Sequence, residues 1–141
     1  MTQPATQPAT PPAASGLLSR LRFDRNGLIA CIAQQHDTGE VLMLAWMNRD
    51  AVAETVATGR VTYWSRSRGA LWRKGDSSGQ VQRLVELRLD CDGDALLALV
   101  DQHGVACHTG RRSCFSWALR DGAVTEIAAP AADPAALYGQ G

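Results

Sequence analysis

The sequence predicts a strand-dominated α+β domain with one or two short helices. Two observations support this class. Short apolar, β-prone segments alternate with turn-forming residues along positions 28–127, and a single segment has the residues of a helix with both ends marked. Many strands with one clear helix are typical of an α+β domain. The order in which the strands pair does not follow from these patterns.

The strand segments are short and bounded by turns. Residues 28–34 and 41–46 predict a first hairpin, and the Asp121-Gly122 turn predicts a last one. The residues from Val81 onward alternate imperfectly, which indicates a long strand with a bulge. The full set of predicted strands is 28–34, 41–46, 61–65, 71–73, 81–89, 95–100, 115–119 and 123–127.

The helix is predicted after the first hairpin. Asn48 is a suitable N-cap, and Asp50 and Glu54 favour the positive end of a helix. Gly59 is typical of a helix end, because glycine adopts the left-handed conformation without strain. We therefore expect one helix of about ten residues.

Composition limits the classes of protein that fit. The chain has 141 residues, a length that predicts one domain. Its formal net charge is zero, so it has no basic surplus of the kind that a nucleic-acid binder usually carries. No apolar run approaches the roughly 20 residues that span a bilayer. The Pro-, Ala- and Thr-rich residues 1–17 predict a disordered leader without an export signal, residues 18–128 the domain, and residues 129–141 a flexible tail. The expected location is the cytoplasm.

An acidic cluster surrounds one of the four cysteines. Asp90, Asp92 and Asp94 alternate with Cys91 and Gly93. If this stretch is extended, the three carboxylates project to one side and repel each other unless a cation lies among them. Oxygen ligands favour magnesium or calcium. The alternative is a polar turn with solvated aspartates.

Three cysteines lie close together in the sequence. Cys91, Cys107 and Cys114 offer three soft ligands, and a catalytic zinc site needs three protein ligands and one open position. Buried or redox-active thiols are the alternative. His108 is the candidate for proton transfer, as a general acid or base beside the metal, or for a fourth ligand. Cys31 is predicted to lie in the core.

Two segments are rich in the groups that bind phosphate. Residues 65–80 and 108–113 supply small hydroxyls, glycines and six cations. Trp64 and Trp72 offer rings that stack on a base, or that serve as core aromatics. The six cations are Arg66, Arg68, Arg73, Lys74, Arg111 and Arg112.

Four stretches together resemble one enzyme family. VLMLAWMN (41–48), YWSRSRGALWRKGDSSGQ (63–80), DCDGDALLALV (90–100) and ACHTGRRSCF (106–115) are similar, in this order, to phosphoribosyl-AMP cyclohydrolase. The resemblance covers roughly residues 23–119. Two departures are Gly75–Gln80, where one carboxylate is shorter and a threonine is replaced, and Ser116, which stands where an aromatic residue is common.

The resemblance implies a reaction and its cofactors. It implies hydrolytic opening of the N1–C6 bond of phosphoribosyl-AMP by a zinc-activated water, in histidine biosynthesis. It also implies an intertwined homodimer with one zinc per site, held by Cys91 of one subunit and by Cys107 and Cys114 of the other. Asp90, Asp92 and Asp94 then correspond to magnesium ligands, and His108 moves a proton. The implied substrate contacts are Trp64, Arg66, Arg68, Trp72, Lys74, Ser77, Ser78, Gly79, Thr109, Gly110, Arg111 and Ser113.

Two rival functions make different demands on the sequence. A non-catalytic zinc-binding interaction module needs four saturating ligands and a basic face, and neither is clear in the sequence. A nucleobase deaminase needs an HxE…PCxxC arrangement, which is absent.

Overall fold

A computed structural model describes residues 12–131 and contains two helices and eight strands among them. The strand-dominated α+β class predicted from the sequence is confirmed. In chain order the elements are α1 (Pro12–Leu18), β1 (Ile29–Gln35), β2 (Val41–Met47), α2 (Arg49–Thr58), β3 (Thr62–Ser65), β4 (Ala70–Arg73), β5 (Gln82–Leu89), β6 (Ala95–Gln102), β7 (Trp117–Arg120) and β8 (Ala123–Glu126). No helix in this part of the chain is long and apolar enough to cross a membrane.

The largest sheet has four strands in the order β2-β1-β6-β5. The β1–β2 pair is the expected first antiparallel hairpin, β5 and β6 form a further antiparallel hairpin, and β1 and β6 run parallel. The β5–β6 register shifts between Leu84 and Glu86, which confirms the predicted bulge. The hairpins β3–β4 and β7–β8 form two separate two-stranded sheets.

One face of the four-stranded sheet forms the core. Alternate residues of β1 and β6, such as Cys31 and Ala98, are fully buried there against Val52 of α2 and Tyr63 of β3. The prediction that Cys31 is a core residue is confirmed. The other face carries Ile32 of β1, whose cross-strand partners are also apolar.

The helix α2 follows the predicted capping pattern. The Asn48 side chain accepts a hydrogen bond from the backbone N–H of Ala51 at 2.8 Å, and Gly59 ends the helix in the left-handed conformation.

The helix α1 requires a correction to the predicted leader. It covers Pro12–Leu18, and all of it but Leu18 lies in the segment predicted as disordered, because Ala14 and Leu18 are buried and α1 packs on α2. Apolar residues spaced by three and four positions bury one face even in this Ala- and Pro-rich composition. Residues 1–11 of the predicted leader and 132–141 of the predicted tail lie outside the described residues.

Candidate metal and substrate site

A cleft of about 630 Å³ lies between β4, the loop that follows it, and the loop that carries two of the cysteines. Small-molecule sites are usually concave spaces of this size with a few polar groups on largely apolar walls. The lining residues are Met43, Arg68, Leu71, Trp72, Arg73, Lys74, Gly75, Asp76, Ser77, Ser78, Ala106, His108 and Cys114.

Backbone hydrogen bonds fold residues 103–114 into a compact loop. The N–H groups of Ala106 and Cys107 donate to the carbonyls of Arg112 and Arg111, at 3.0 and 3.1 Å. The N–H of Cys114 donates to the carbonyl of Leu42 on β2 at 2.7 Å, which attaches the far end of the loop to the sheet. This loop, residues 103–114, is called the thiol loop below. It brings Cys107 and Cys114 together beside the cleft.

The two thiols shift each other's pKa. Desolvation raises the pKa of the Cys107 thiol, but hydrogen bonds with the Thr109 and Cys114 side chains outweigh it, so this pKa lies below its usual value. Desolvation and the neighbouring Cys107 raise the pKa of Cys114 to about 12. Two acidic groups that converge in this way favour a bound cation, because a cation removes their repulsion.

Lys74 lies next to this thiol pair. Its Nζ atom donates to the carbonyl of Ala106 at 2.6 Å, and the side chain is buried. Desolvation lowers the pKa of Lys74 below its ordinary value, although the charges of Cys114 and Cys107 act in the opposite direction. The lysine therefore supports the thiol loop directly, in addition to lining the cleft.

His108 lines the same cleft and is exposed. It follows Cys107 directly in the chain and lines the cleft together with Cys114. This position is compatible with the predicted proton transfer, which stays a prediction.

Cys91 lies far from the other two cysteines in the same protomer. It is exposed in the β5–β6 turn, whereas Cys114 is attached to Leu42 on β2. Since β1 separates β2 from β6, Leu42 and the start of β6 lie roughly 10 Å apart across the sheet. The register of the strands places them roughly 10 Å apart along the strand direction as well. Two sulfurs on one zinc can be at most about 4.6 Å apart. Within residues 12–131 of one protomer, no three side chains of His, Cys, Asp or Glu converge as a metal site.

The acidic cluster forms a turn, the alternative to the extended conformation in which its three carboxylates would project to one side. The Asp90 side chain accepts hydrogen bonds from the backbone N–H groups of Asp94 and Ala95, and Gly93 has φ of 72°. A turn is preferred because Asp90 satisfies these N–H groups locally. A hydrogen bond between the Asp90 and Asp94 side chains lowers the pKa of Asp90 and raises that of Asp94. These two carboxylates are therefore close neighbours.

Five of the predicted substrate residues line the cleft. They are Arg68, Trp72, Lys74, Ser77 and Ser78. Trp72 is held by Tyr63, whose ring centroid lies 5.0 Å away. Among these five, Arg68 brings an exposed guanidinium, whereas the Lys74 ammonium already binds a carbonyl.

The structure does not bring the other predicted contacts to the cleft. Trp64 and Arg66 line a separate groove with Trp46, and the Arg66 guanidinium lies 4.9 Å from the Trp46 ring centroid. Arg111 pairs with Glu126. The remaining four form internal hydrogen bonds: Gly79 to Gly75, Thr109 to Cys107, Gly110 to Cys107, and Ser113 to Val41.

Two further cations from the sequence analysis also have protein partners. Arg73 lines the cleft but pairs with Glu54 at 2.9 Å. Arg112 lies in the thiol loop, where its guanidinium donates to Glu40, Gln35 and two backbone carbonyls.

The sequence of this region matches a known family. A sequence model of the family described as Phosphoribosyl-AMP cyclohydrolase matches residues 43–116, more than half of the chain. The chain belongs to the phosphoribosyl-AMP cyclohydrolase family. The matched residues include every residue that lines the cleft, and the resemblance found in the sequence is confirmed.

Individual relatives are similar over most of their length. The phosphoribosyl-AMP cyclohydrolase of Rhodospirillum centenum is 69% identical over 89% of this chain and 94% of its own length. That of Granulibacter bethesdensis is 68% identical over 89% of this chain and 98% of its own. That of Alcanivorax borkumensis is 67% identical over 87% of each chain.

A polar network at the base of the thiol loop was not predicted from the sequence. The fully buried hydroxyl of Tyr63 donates to Gln82, and Gln82 donates to Gln102. Glutamine is mostly exposed in folded proteins, so polar residues inside otherwise apolar strands could have indicated this network.

Proposed function

We propose that the chain hydrolyses the N1–C6 bond of phosphoribosyl-AMP, in histidine biosynthesis, at a zinc site beside the cleft. The observation that carries this proposal is the pair Cys107 and Cys114, which lies next to His108 at a cleft of about 630 Å³. The names of the relatives support the substrate. The chain is thus proposed to be a cytoplasmic enzyme.

The residues present fit a zinc ion, with one ligand supplied from elsewhere. Cys107 and Cys114 provide two sulfurs that lie close enough to shift each other's pKa, and thiolates suit zinc. When bound, zinc lowers the pKa of a coordinated water to about 7, which makes hydroxide available at neutral pH. The third ligand in the proposed site is Cys91 of a second copy, since Cys91 of the same protomer is too distant.

A homodimer follows from this requirement, and two exposed surfaces support it. The β7–β8 hairpin exposes Trp117 (61%), Leu119 (74%) and Val124 (70%). A two-stranded hairpin is marginally stable alone and needs a packing partner. The outer face of the main sheet pairs Ile32 with Leu44 and Leu97, which are also apolar. Apolar surfaces of this extent usually mark an interface, and we assign both to the second copy.

The cleft residues have distinct proposed roles. Trp72 provides a face for the adenine ring, and the exposed guanidinium of Arg68 is suited to a phosphate. Ser77 and Ser78 offer hydroxyls for the phosphate or ribose. In the reaction, water adds at C6, the N1–C6 bond breaks, and N1 takes up a proton. His108 is proposed to move that proton, giving the formimino carboxamide ribotide.

Magnesium is proposed to bind the acidic turn. Asp90 and Asp94 are hydrogen-bonded neighbours and Asp92 raises the pKa of Asp94 by its charge, so a divalent ion would relieve their repulsion. This assignment depends on the oxygen donors alone.

The direct test is turnover of phosphoribosyl-AMP followed by absorbance, with and without a zinc chelator. Activity that the chelator abolishes and added zinc restores is the expected result. No turnover by zinc-loaded protein would exclude the proposed reaction and favour the non-catalytic zinc module.

The shared site has a separate test. Cys91→Ala and Cys107→Ala proteins are each expected to be inactive, because each lacks one thiolate. Mixing them under conditions of subunit exchange should restore part of the activity, since one of the two interfaces then has all three thiolates. If exchange is demonstrated and no activity returns, the site is not shared between subunits.

A further inference from the structure

A buried polar network joins the main sheet to the loop that holds Cys107 and Cys114. It starts at Tyr63 Oη, which donates to Gln82 Oε1 at 2.7 Å, and continues from Gln82 Nε2 to Gln102 Oε1 at 2.9 Å. Each amide thereby has a fixed orientation, because its oxygen accepts and its nitrogen donates. The network ends at the last residue of β6, where the thiol loop begins.

Gln102 connects the strand to the start of this loop. Its side chain is buried, and Nε2 donates to the carbonyl of His103 at 2.9 Å and lies within 3.4 Å of the Val105 carbonyl. Gln80 Oε1 accepts from the N–H of Val105 at 2.8 Å. The chain passes so close to Gln80 that a Cβ atom on Gly104 would lie 1.7 Å from that oxygen. The start of the loop therefore has little freedom.

Arg112 fixes the other side of the same loop. Its Nη1 atom donates to the carbonyl of Gly104 at 2.5 Å, and Nη2 donates to Gln35 Oε1 at 3.0 Å. Its backbone carbonyl accepts from the N–H of Ala106 at 3.0 Å. A guanidinium presents several donors in one plane, which an ammonium cannot reproduce. Arg112 thus joins both limbs of the loop to the sheet.

We propose that Gln102 and Arg112 are positioning residues that hold Cys107 and Cys114 ready for the metal, and that Arg112 does not bind the substrate phosphate. Supporting groups of this kind fix the direction of metal ligands, and their loss typically lowers metal affinity about 10- to 100-fold. The inference rests on the proposed zinc site.

The test compares zinc affinity in the full-length homodimer by competition with a chromophoric chelator. Arg112→Lys keeps the charge but loses the planar set of donors, and Gln102→Glu keeps the shape but loses the Nε2 donor. For each we expect an increase of at least about 10-fold in the zinc dissociation constant. At equal amounts of bound cobalt, the variants should also show weaker thiolate-to-cobalt charge-transfer absorption per metal ion, which a loss of stability alone does not produce.

Two matched variants serve as controls. Arg25→Lys makes the same change at an exposed residue, and Asn26→Asp makes the corresponding amide-to-carboxylate change at an exposed turn residue. Both should bind zinc within about twofold of the unmodified chain. If Gln102→Glu does not fold, Arg112→Lys decides the outcome by itself.

The possible results separate this inference from the proposed function. If the unmodified chain binds zinc and folded Arg112→Lys binds it equally well, the positioning role is refuted while the zinc enzyme stands. If the unmodified chain binds no zinc, the proposed function fails and the inference fails with it.

Discussion

Replacing Leu119 by serine tests whether a second copy covers the β7–β8 hairpin. The Leu119 side chain is 74% exposed in the protomer, so the substitution removes no intramolecular packing of consequence. The folded protomer should therefore keep its stability, while a dimer that buries this residue should be weakened.

The size of the effect follows from the exposed fraction. Full burial of a leucine side chain stabilises by about 1.5–3 kcal/mol, and covering three-quarters of it gives about 1–2 kcal/mol. A twofold dimer contains the residue twice, so dimer formation loses about 2–4 kcal/mol. At 1.4 kcal/mol for each factor of ten, the dimer dissociation constant rises roughly 25- to 800-fold.

Sedimentation at a series of protein concentrations measures this constant. Ala57→Ser, on the exposed side of α2, is the control and should leave it unchanged. Zinc content should fall with dimer content, because a separated protomer loses the partner's cysteine. If Leu119→Ser forms dimers as tightly as the unmodified chain, the hairpin is not the interface, and its exposed apolar side chains do not mark one.

Three other predictions concern the cleft and the core. His108→Gln should lower kcat about 10²- to 10⁴-fold while zinc content stays unchanged, and steady-state kinetics that show full activity would remove His108 from the mechanism. Gly75→Ala should destabilise the fold more than Gly79→Ala in urea unfolding, because both have positive φ but only a Cβ at Gly75 lies within 2.6 Å of Val81; equal losses would contradict this reason. Burial raises the pKa of Cys31 to about 12 from an ordinary value of 9.0, so the unfolded thiol ionises first. The contribution of this thiol to the free energy of unfolding should thus be constant below pH 9 and decline by up to about 1.4 kcal/mol per pH unit above pH 9. Alkylation of Cys31 in the folded protein at pH 8 would show that the thiol is not buried.

Local patterns in the sequence determined most of the elements. The cap at Asn48, the end at Gly59 and the turn at Asp121-Gly122 depend on neighbouring residues only, and the structure has each of them. The helix α1 was missed for the opposite reason. Its residues form an ordered helix through packing on α2, a contact that composition alone does not reveal.

The sequence by itself determined the chemical groups of the candidate site. It supplied three thiols, three carboxylates and a histidine in motifs of one family. Donor types follow from residue identity, so no fold was required to expect a soft and a hard metal.

Only the tertiary structure decided which of these groups meet. Trp64 and Trp72 lie at positions of neighbouring strands that do not pair with each other, and they line different grooves. The Arg112 guanidinium donates a hydrogen bond to Gln35, a residue 77 positions away. The residues next to Arg112 in the sequence therefore did not indicate that it has a protein partner. Side-chain polarity is a local property, whereas the partner of a charge depends on how distant segments pack.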